Sequence, residues 1–339
     1  MGGFLLGAGT GNAVENLSIF DPAALQTEWI RALAILIFAI TGVIFIIVEG
    51  ILLYSVYRFR NKPSSDTSKE PPQVYGSQPI EIAWTVAPAM VVFVIMLVVS
   101  RTIWQVKINK PEPKEGDNTL FVTVIGRQWW WEFSYETYDG KKLGFITANE
   151  LHIPVSDEQT SRRSYLRLLS ADVCHSFWVP RLAGKTDLIP GRDNLMWLET
   201  DKAELFVGQC AEYCGTQHAG MLLRVVVDSP KDFQNWLDHQ MKPAVDDERV
   251  ARGKKAFLSQ SCVNCHRVRG TAAAGTYAPD LTHLMSRETL AAGIITNTRE
   301  NLRDWVDDPQ KMKPGCLMPA FKLSDGERDL VVEYLRSLR

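Results

Sequence analysis

Two long apolar runs come first, and then the period of the pattern changes twice. From Trp29 to Tyr57 the chain is apolar, interrupted by Arg31 near the start and by Glu49. A second run, Ile82–Ser100, carries no charge and is bounded by Glu81 and Arg101. Each can cross the hydrocarbon core of a bilayer as a helix, which takes roughly 17–25 residues. Trp29, Tyr54, Tyr57, Trp84 and Trp104 flank the runs, as aromatic residues do at the headgroup level. The pattern predicts a two-helix transmembrane hairpin. Past a Pro-, Lys- and Glu-rich stretch at 107–119, short runs of Val, Ile, Phe and Trp take over: Leu120–Ile125, Trp129–Tyr135, Tyr165–Leu169, Leu195–Glu199 and Leu222–Val227. Turn signals such as Tyr138-Asp-Gly and Ile189-Pro-Gly separate them, which predicts an all-β sandwich or barrel. Polar sequence around Lys231–Asp247 reads as a linker. Helical spacing follows in Asp246–Gln260 (Val250, Gly253, Ala256, Phe257) and in Ser324–Leu338, which opens with a cap-like Ser-x-x-Glu. The expected divisions are 1–28, 29–106 (hairpin), 107–230 (β domain), 231–247 (linker) and 248–339 (α domain).

Charge adds a direction. The loop between the apolar runs carries Arg58, Arg60, Lys62 and Lys69, while residues 1–28 carry no Lys or Arg. By the positive-inside rule the loop is cytoplasmic, and both termini lie on the extracytoplasmic side. Lys107, Lys110 and Lys114 oppose this weakly, because a long domain translocates largely regardless of charge. The lack of a positive n-region also argues against an uncleaved signal peptide. A net charge of -2 offers no electrostatic case for binding nucleic acid. Glu49 is an acid inside a span, and snorkelling or helix pairing accounts for it. At 339 residues the chain exceeds one ordinary core.

The candidate chemistry lies in the two later domains. Cys210-Ala-Glu-Tyr-Cys-Gly-Thr-Gln-His-Ala-Gly-Met221 holds two thiols, an imidazole and a thioether, and His175 lies upstream. Thiolate, thioether and imidazole together suit copper. Zinc would use the Cys and His but has little need of Met221, and a structural disulfide explains neither His218 nor Met221. A mononuclear blue-copper site needs one Cys, whereas two could bridge a pair of copper ions. Cys262-Val-Asn-Cys-His266 is a C-x-x-C-H run, the attachment signature of c-type haem. A thioredoxin-like C-x-x-C would not require the His, and no βαβ pattern surrounds it. Met312, Met318 and Met285 are candidates for a sixth ligand. Cys174 and Cys316 belong to neither motif and are expected to be buried free thiols, and His152 and His239 ordinary surface or turn residues.

At Cys210–Met221 and His175 the sequence resembles the binuclear copper (CuA) site of the subunit II family of cytochrome c oxidases, and the resemblance covers nearly the whole chain from about residue 17. It implies a cupredoxin-like Greek-key domain with Cys210 and Cys214 bridging two coppers. His175 and His218 would be the imidazole ligands, and Met221 and the Glu212 carbonyl the weak ones. The Glu212 carboxylate would help hold magnesium at a subunit boundary. Gln128-Trp-Trp-Trp131 resembles the family's aromatic patch, in which the position of Trp129 receives electrons from cytochrome c. Asp172 would orient a ligand loop or join an acidic docking surface. Lys185–Arg192 would face the catalytic subunit, and Glu81 matches an acidic position at the mouth of that subunit's proton channel. The last domain resembles a class I cytochrome c, with haem c on Cys262, Cys265 and His266. The Pro279 carbonyl would orient His266, and Met318 would be the sixth ligand. The implied function is electron delivery from cytochrome c, or another donor, to a haem–copper subunit I that reduces oxygen and pumps protons. The implied setting is a complex with further oxidase subunits in the bacterial inner membrane. A CuA-containing nitric oxide reductase would share the same module.

Overall fold

The computed structural model describes residues 17–60, 73–108, 119–156 and 162–339. Residues 1–16, the loop charges Lys62 and Lys69, and Lys110 and Lys114 of the stretch after the second span lie outside them. One unit runs from Glu28 to Lys110; the other takes Met1–Thr27 and Pro111–Arg339. In the first, α1 (Leu25–Phe59) and α2 (Gln78–Ile103) are 35 and 26 residues long. At about 1.5 Å per residue both exceed the roughly 30 Å of a hydrocarbon core. Phe38, Ile46 and Leu53 on α1 and Val92 and Leu97 on α2 are exposed, and neither helix has a polar face. Helices apolar on every side belong in lipid. A proline opens α2, where it costs no hydrogen bond, and Glu81 lies in its first turn.

The second unit begins with a β-sandwich. Its strands are β1 (Leu120–Arg127), β2 (Trp130–Tyr138), β3 (Lys141–Ala148), β4 (Glu150–Pro154), β5 (Ser164–Ser170), β6 (His175–Trp178), β7 (Thr186–Leu188), β8 (Asn194–Leu198), β9 (Leu205–Cys210) and β10 (Leu222–Asp228). One sheet has the order β3-β2-β1-β5-β8 and the other β4-β10-β9-β6-β7. Along β9 and β10 burial alternates residue by residue, as a strand with one face on a core requires. Trp131, Phe133 and Phe177 fill the centre, with the Trp131 and Phe177 rings edge-on at 5.5 Å. From the N-terminal segment, Ala23 N–H donates to Arg181 O (2.8 Å) and Gln26 Nε2 to Trp197 O (3.0 Å).

The stretch expected as a linker opens instead with a helix, α3 (Pro230–Gln240), capped by the Ser229 hydroxyl. It buries Phe233 and Leu237 in the sandwich core. Only these and Trp236 are apolar, at helical spacing, so charged neighbours mask the pattern in the sequence. The C-terminal domain holds α4 (Ala251–Ser259), α5 (Cys262–Cys265), α6 (Arg299–Asp307), α7 (Pro309–Met312) and α8 (Asp325–Ser337). Where α4 crosses α8, a Cβ on Gly253 would lie 2.2 Å from Leu330 O, so only glycine permits the crossing. Phe257 packs on Tyr334 one turn later. Ser324 and Glu327 form a reciprocal capping box at the start of α8.

Candidate metal centre

Strand pairing sets Phe177 opposite Cys210, so the start of β6 meets the end of β9. His175 opens the first strand and Cys210 closes the second. The loop between β9 and β10 then folds back. His218 N–H donates to Gly215 O (3.0 Å) and Cys210 N–H to Met221 O (3.0 Å), which returns Met221 beside Cys210. The result is a cluster of soft donors. Cys210 Sγ lies 3.7 Å from Cys214 Sγ, 3.9 Å from His175 Nδ1 and 3.2 Å from Glu212 O. Cys214 Sγ lies 3.7 Å from His218 Nδ1 and 3.9 Å from Met221 Sδ. A disulfide would bring the sulfurs to about 2.05 Å, so these are two free thiols. His175 and Met221 are fully buried and the cysteines nearly so. Among the described residues, His175, Cys210 and Cys214 are the His/Cys/Asp/Glu group whose ligand atoms lie within 4.8 Å of one another.

Neighbouring groups fix the orientation of the donors. His175 Nε2–H donates to Asp172 Oδ1 (2.7 Å), which leaves the Nδ1 lone pair towards the sulfurs. Asp172 Oδ2 accepts from Gln128 N–H (2.7 Å). Of the two roles expected for Asp172, this geometry favours orienting a ligand. Gly126 on β1 makes room for the ring, since a Cβ there would lie 2.8 Å from His175 Cδ2. Burial works against the His175 imidazolium, yet the Asp172 carboxylate holds its pKa above the ordinary value. The Cys214 contact, opposed by burial and helped by His175, pulls the Cys210 thiol far down, while the same contact pushes Cys214 up.

Trp129 lies just before β2, not on it, although the sequence pattern places a strand over Trp129–Tyr135. Trp131 is core. Trp129 Nε1–H donates to Cys214 O (3.0 Å), as does Gln128 Nε2–H (2.7 Å). Trp129 and Trp130 both line the large cavity described below. Glu81 lies on α2 in the other unit. Cys174, expected buried, is exposed: it stands immediately before the buried His175 that opens β6 and faces the solvent. Cys316 is half-buried. His152 has partners the sequence did not suggest: Asp228 at 2.7 Å and a stacked Trp236.

In the C-terminal domain, Cys262, Cys265, His266 and Met318 line one cavity of about 1370 Å³, its mouth included. Phe257, Leu281, Leu302, Val331 and Leu335 form much of its apolar wall. The short helix α5 presents both cysteines, and His266 N–H closes it on Cys262 O (2.9 Å). His266 Nδ1–H donates to Pro279 O (2.8 Å), so Nε2 carries the lone pair. Burial lowers the His266 pKa and keeps the ring neutral, the form that binds a metal. Neither Met312 nor Met285 is among the residues that line the cavity. A flat macrocycle with two thioether links fits this space and these donors.

Three family models match the chain in sequence order. Residues 13–100 match "Cytochrome C oxidase subunit II, transmembrane domain", 120–229 "Cytochrome C oxidase subunit II, periplasmic domain" and 250–339 "Cytochrome c". The chain is 36% identical over 329 residues to cytochrome c oxidase subunit 2 of Alkalihalophilus pseudofirmus, covering 96% of this chain and 92% of that protein. It is 33% identical over 305 residues to the Bacillus subtilis protein of the same name, covering 85% and 82%. With that of Bacillus sp. strain PS3 the identity is 35% over 297 residues, covering 83% and 80%. The nitric oxide reductase alternative gains no support from these relatives. The subunit II domain implies CuA and the cytochrome c domain implies haem c, and the donor sets above fit both. A membrane hairpin, a sandwich with a soft-donor cluster and a haem-sized cavity therefore stand in the order of one known architecture, and the chain belongs to the cytochrome c oxidase subunit II family, as an electron-transfer subunit with a cytochrome c domain fused behind its copper domain.

Proposed function

We propose that the chain accepts single electrons from a cytochrome c, or another donor, at its own haem c and passes them through CuA to subunit I of the oxidase. Cys210, Cys214, His175, His218, Met221 and the Glu212 carbonyl would hold the copper pair. Cys262 and Cys265 would anchor the haem by thioether links, and His266 and Met318 would ligate its iron. The observation that carries this reading is the meeting of four further donors, two imidazoles, a thioether and a carbonyl, around two sulfurs 3.7 Å apart. When bound, the haem and the copper pair supply one-electron carriers with potentials set by their ligands. The chain's own residues hold and insulate them. Asp172 fixes the His175 tautomer, Pro279 fixes that of His266, and Trp129 packs between the cavity and Cys214 with its indole N–H on the Cys214 carbonyl.

Four finer assignments complete the proposal. The loop between α1 and α2 is cytoplasmic and the metal-bearing domains are periplasmic. Glu81, at the start of α2, lies at the mouth of the proton channel of subunit I. The exposed Glu212 carboxylate contributes to a magnesium site at the boundary with that subunit. The domain divisions are those expected from the sequence, with α3 belonging to the sandwich. The deciding experiment is EPR and visible spectroscopy of the full chain loaded with copper and matured with haem. The multi-line hyperfine pattern of a delocalised copper pair beside a haem c band is expected. A single-copper pattern, or a haem band alone, would overturn the assignment.

A further inference from the structure

The sandwich and the C-terminal domain meet along the loop that carries Cys214, His218 and Met221. Leu222 N–H donates to Ala292 O (3.1 Å), Gln217 Nε2–H to Pro314 O (2.6 Å), and Arg224 pairs with Glu288 (2.9 Å). Two charged side chains, one from each domain, are buried in this contact at 3% exposure. Lys313 Nζ donates to Trp129 O (2.8 Å), Gly220 O (2.8 Å) and Ala291 O (3.0 Å). Glu150, on β4, accepts from Glu288 N–H (3.0 Å), Thr289 N–H (2.9 Å) and the Thr289 hydroxyl (2.9 Å). A buried charge is costly unless its hydrogen bonds are made, and burial pulls the Lys313 pKa down to about 7. Two of the three Lys313 carbonyls, those of Trp129 and Gly220, belong to the sandwich, and all three Glu150 partners belong to the C-terminal domain, so these bonds form only when the domains are joined in this way.

Lys313 also stands between the two proposed centres. It follows α7 and shortly precedes Met318. Gln310 braces the intervening loop: its Nε2 donates to Cys316 O and Met318 O (2.8 Å each), and its Oε1 accepts from Gly315 N–H (2.8 Å). On the other side, the carbonyls Lys313 grips belong to Trp129, whose indole reaches Cys214 O, and to Gly220, next to Met221.

We propose that Lys313 is a positioning residue for electron transfer from haem c to CuA, pinning the Met318 loop onto the copper-ligand loop with Glu150 as the reciprocal pin. The separation of the two centres is then fixed by the fold and not sampled on a tether. This rests on the ligand assignments proposed above.

Lys313→Met in the full chain keeps the apolar length and strands three carbonyls. Hydrogen exchange reads the contact whether or not a cofactor is bound. The amides of Glu288, Thr289 and Leu222 should lose tenfold or more of their protection, while Val225 in the sandwich keeps its own. In the loaded chain, reduction of the haem by a small external reductant should be unchanged. The following haem-to-copper step should slow at least tenfold, with both optical and EPR signatures intact and a broadened haem–copper distance distribution by pulsed EPR. Glu150→Gln, which keeps the shape, should show the same pattern more weakly and serves if Lys313→Met does not fold. Undiminished protection of the interface amides, or a broad distance distribution already in the unsubstituted chain, would overturn the proposal. Absence of the copper-pair signal would instead count against the ligand assignments and leave the exchange result standing.

Discussion

In the sandwich, His175, Cys210, Cys214 and Met221 meet inside a closed core, at no more than 4% exposure, held by strand pairing and loop hydrogen bonds. In the C-terminal domain, Cys262, Cys265, His266 and Met318 line one open cavity, and part of the buried apolar cluster, including Phe257, Leu281, Leu302, Val331 and Leu335, forms its wall. The first region is a solid with a site in it. The second is a wall whose filling is the cofactor. Apolar side chains that line a cofactor pocket complete their packing on the cofactor, so its binding adds to the stability of the domain that holds it. Metal should therefore matter little to the stability of the sandwich, and haem should matter greatly to that of its neighbour.

The largest expected effect is that of Cys262→Ala with Cys265→Ala. Without thioether anchors, amides of α4 and α8 should lose about 100-fold or more of their exchange protection, while β9 and β10 keep theirs. Equal loss in both domains would break the comparison. Next, Cys214→Ser should abolish the copper-pair signal yet shift sandwich stability by only about 1 kcal/mol, a typical value for one side-chain substitution. A thermal melt of the apo and copper-loaded chains checks it, and a collapsed apo sandwich would sink the idea of a preformed site. Asp172→Asn sharpens the point further. It keeps a side chain near His175 Nε2 but removes the carboxylate, and should weaken copper binding about 10–100-fold with the fold unchanged. Copper titration of the apo chain measures this.

The smallest effect concerns the C-terminal domain alone. Burial, with Asp246 nearby, pushes the Tyr334 hydroxyl up to about 12. In the unfolded chain the hydroxyl ionises near its ordinary value of 10.0, so between the two values the unfolded state binds fewer protons. The contribution of Tyr334 to stability is thus complete below pH 10 and lost as pH rises towards 12. Its hydroxyl has no hydrogen-bond partner among the described residues. Tyr334→Phe should flatten that alkaline decline in the C-terminal domain and stabilise it by up to about 1 kcal/mol. A melt series in alkaline buffers reads both.

What could be read from the sequence was local. Lipid-spanning helices announce themselves as unbroken apolar runs, and the proposed copper and haem donors lie in motifs short enough to see at a glance, with His175 flagged by its own surroundings. Asp172, three residues before His175, was legible as one of two roles, and Pro279, 13 residues after His266, only through the resemblance to a class I cytochrome c. Lys313 was not. It sits in Met-Lys-Pro-Gly with no motif around it, and its partners Trp129 and Gly220 are 184 and 93 residues away. Glu150 likewise reads as one more acid on a strand. The helix α3 was hidden because three apolar side chains suffice to dock it on a large neighbour. Cys174 was expected buried, yet it stands immediately before the buried His175 that opens β6 and faces the solvent.

The burial of Lys313 and Glu150 has a consequence for how the chain responds to salt. Mobile ions screen charges that face water, over a Debye length of about 8 Å at physiological ionic strength, and they reach buried pairs far less. Capture of an electron from a soluble donor depends on surface charge and should slow or quicken as ionic strength changes. Passage of that electron onward, across a contact whose two buried charges, Lys313 and Glu150, are sealed from the solvent, should respond less to ionic strength, with the exposed Arg224–Glu288 pair as the part open to screening.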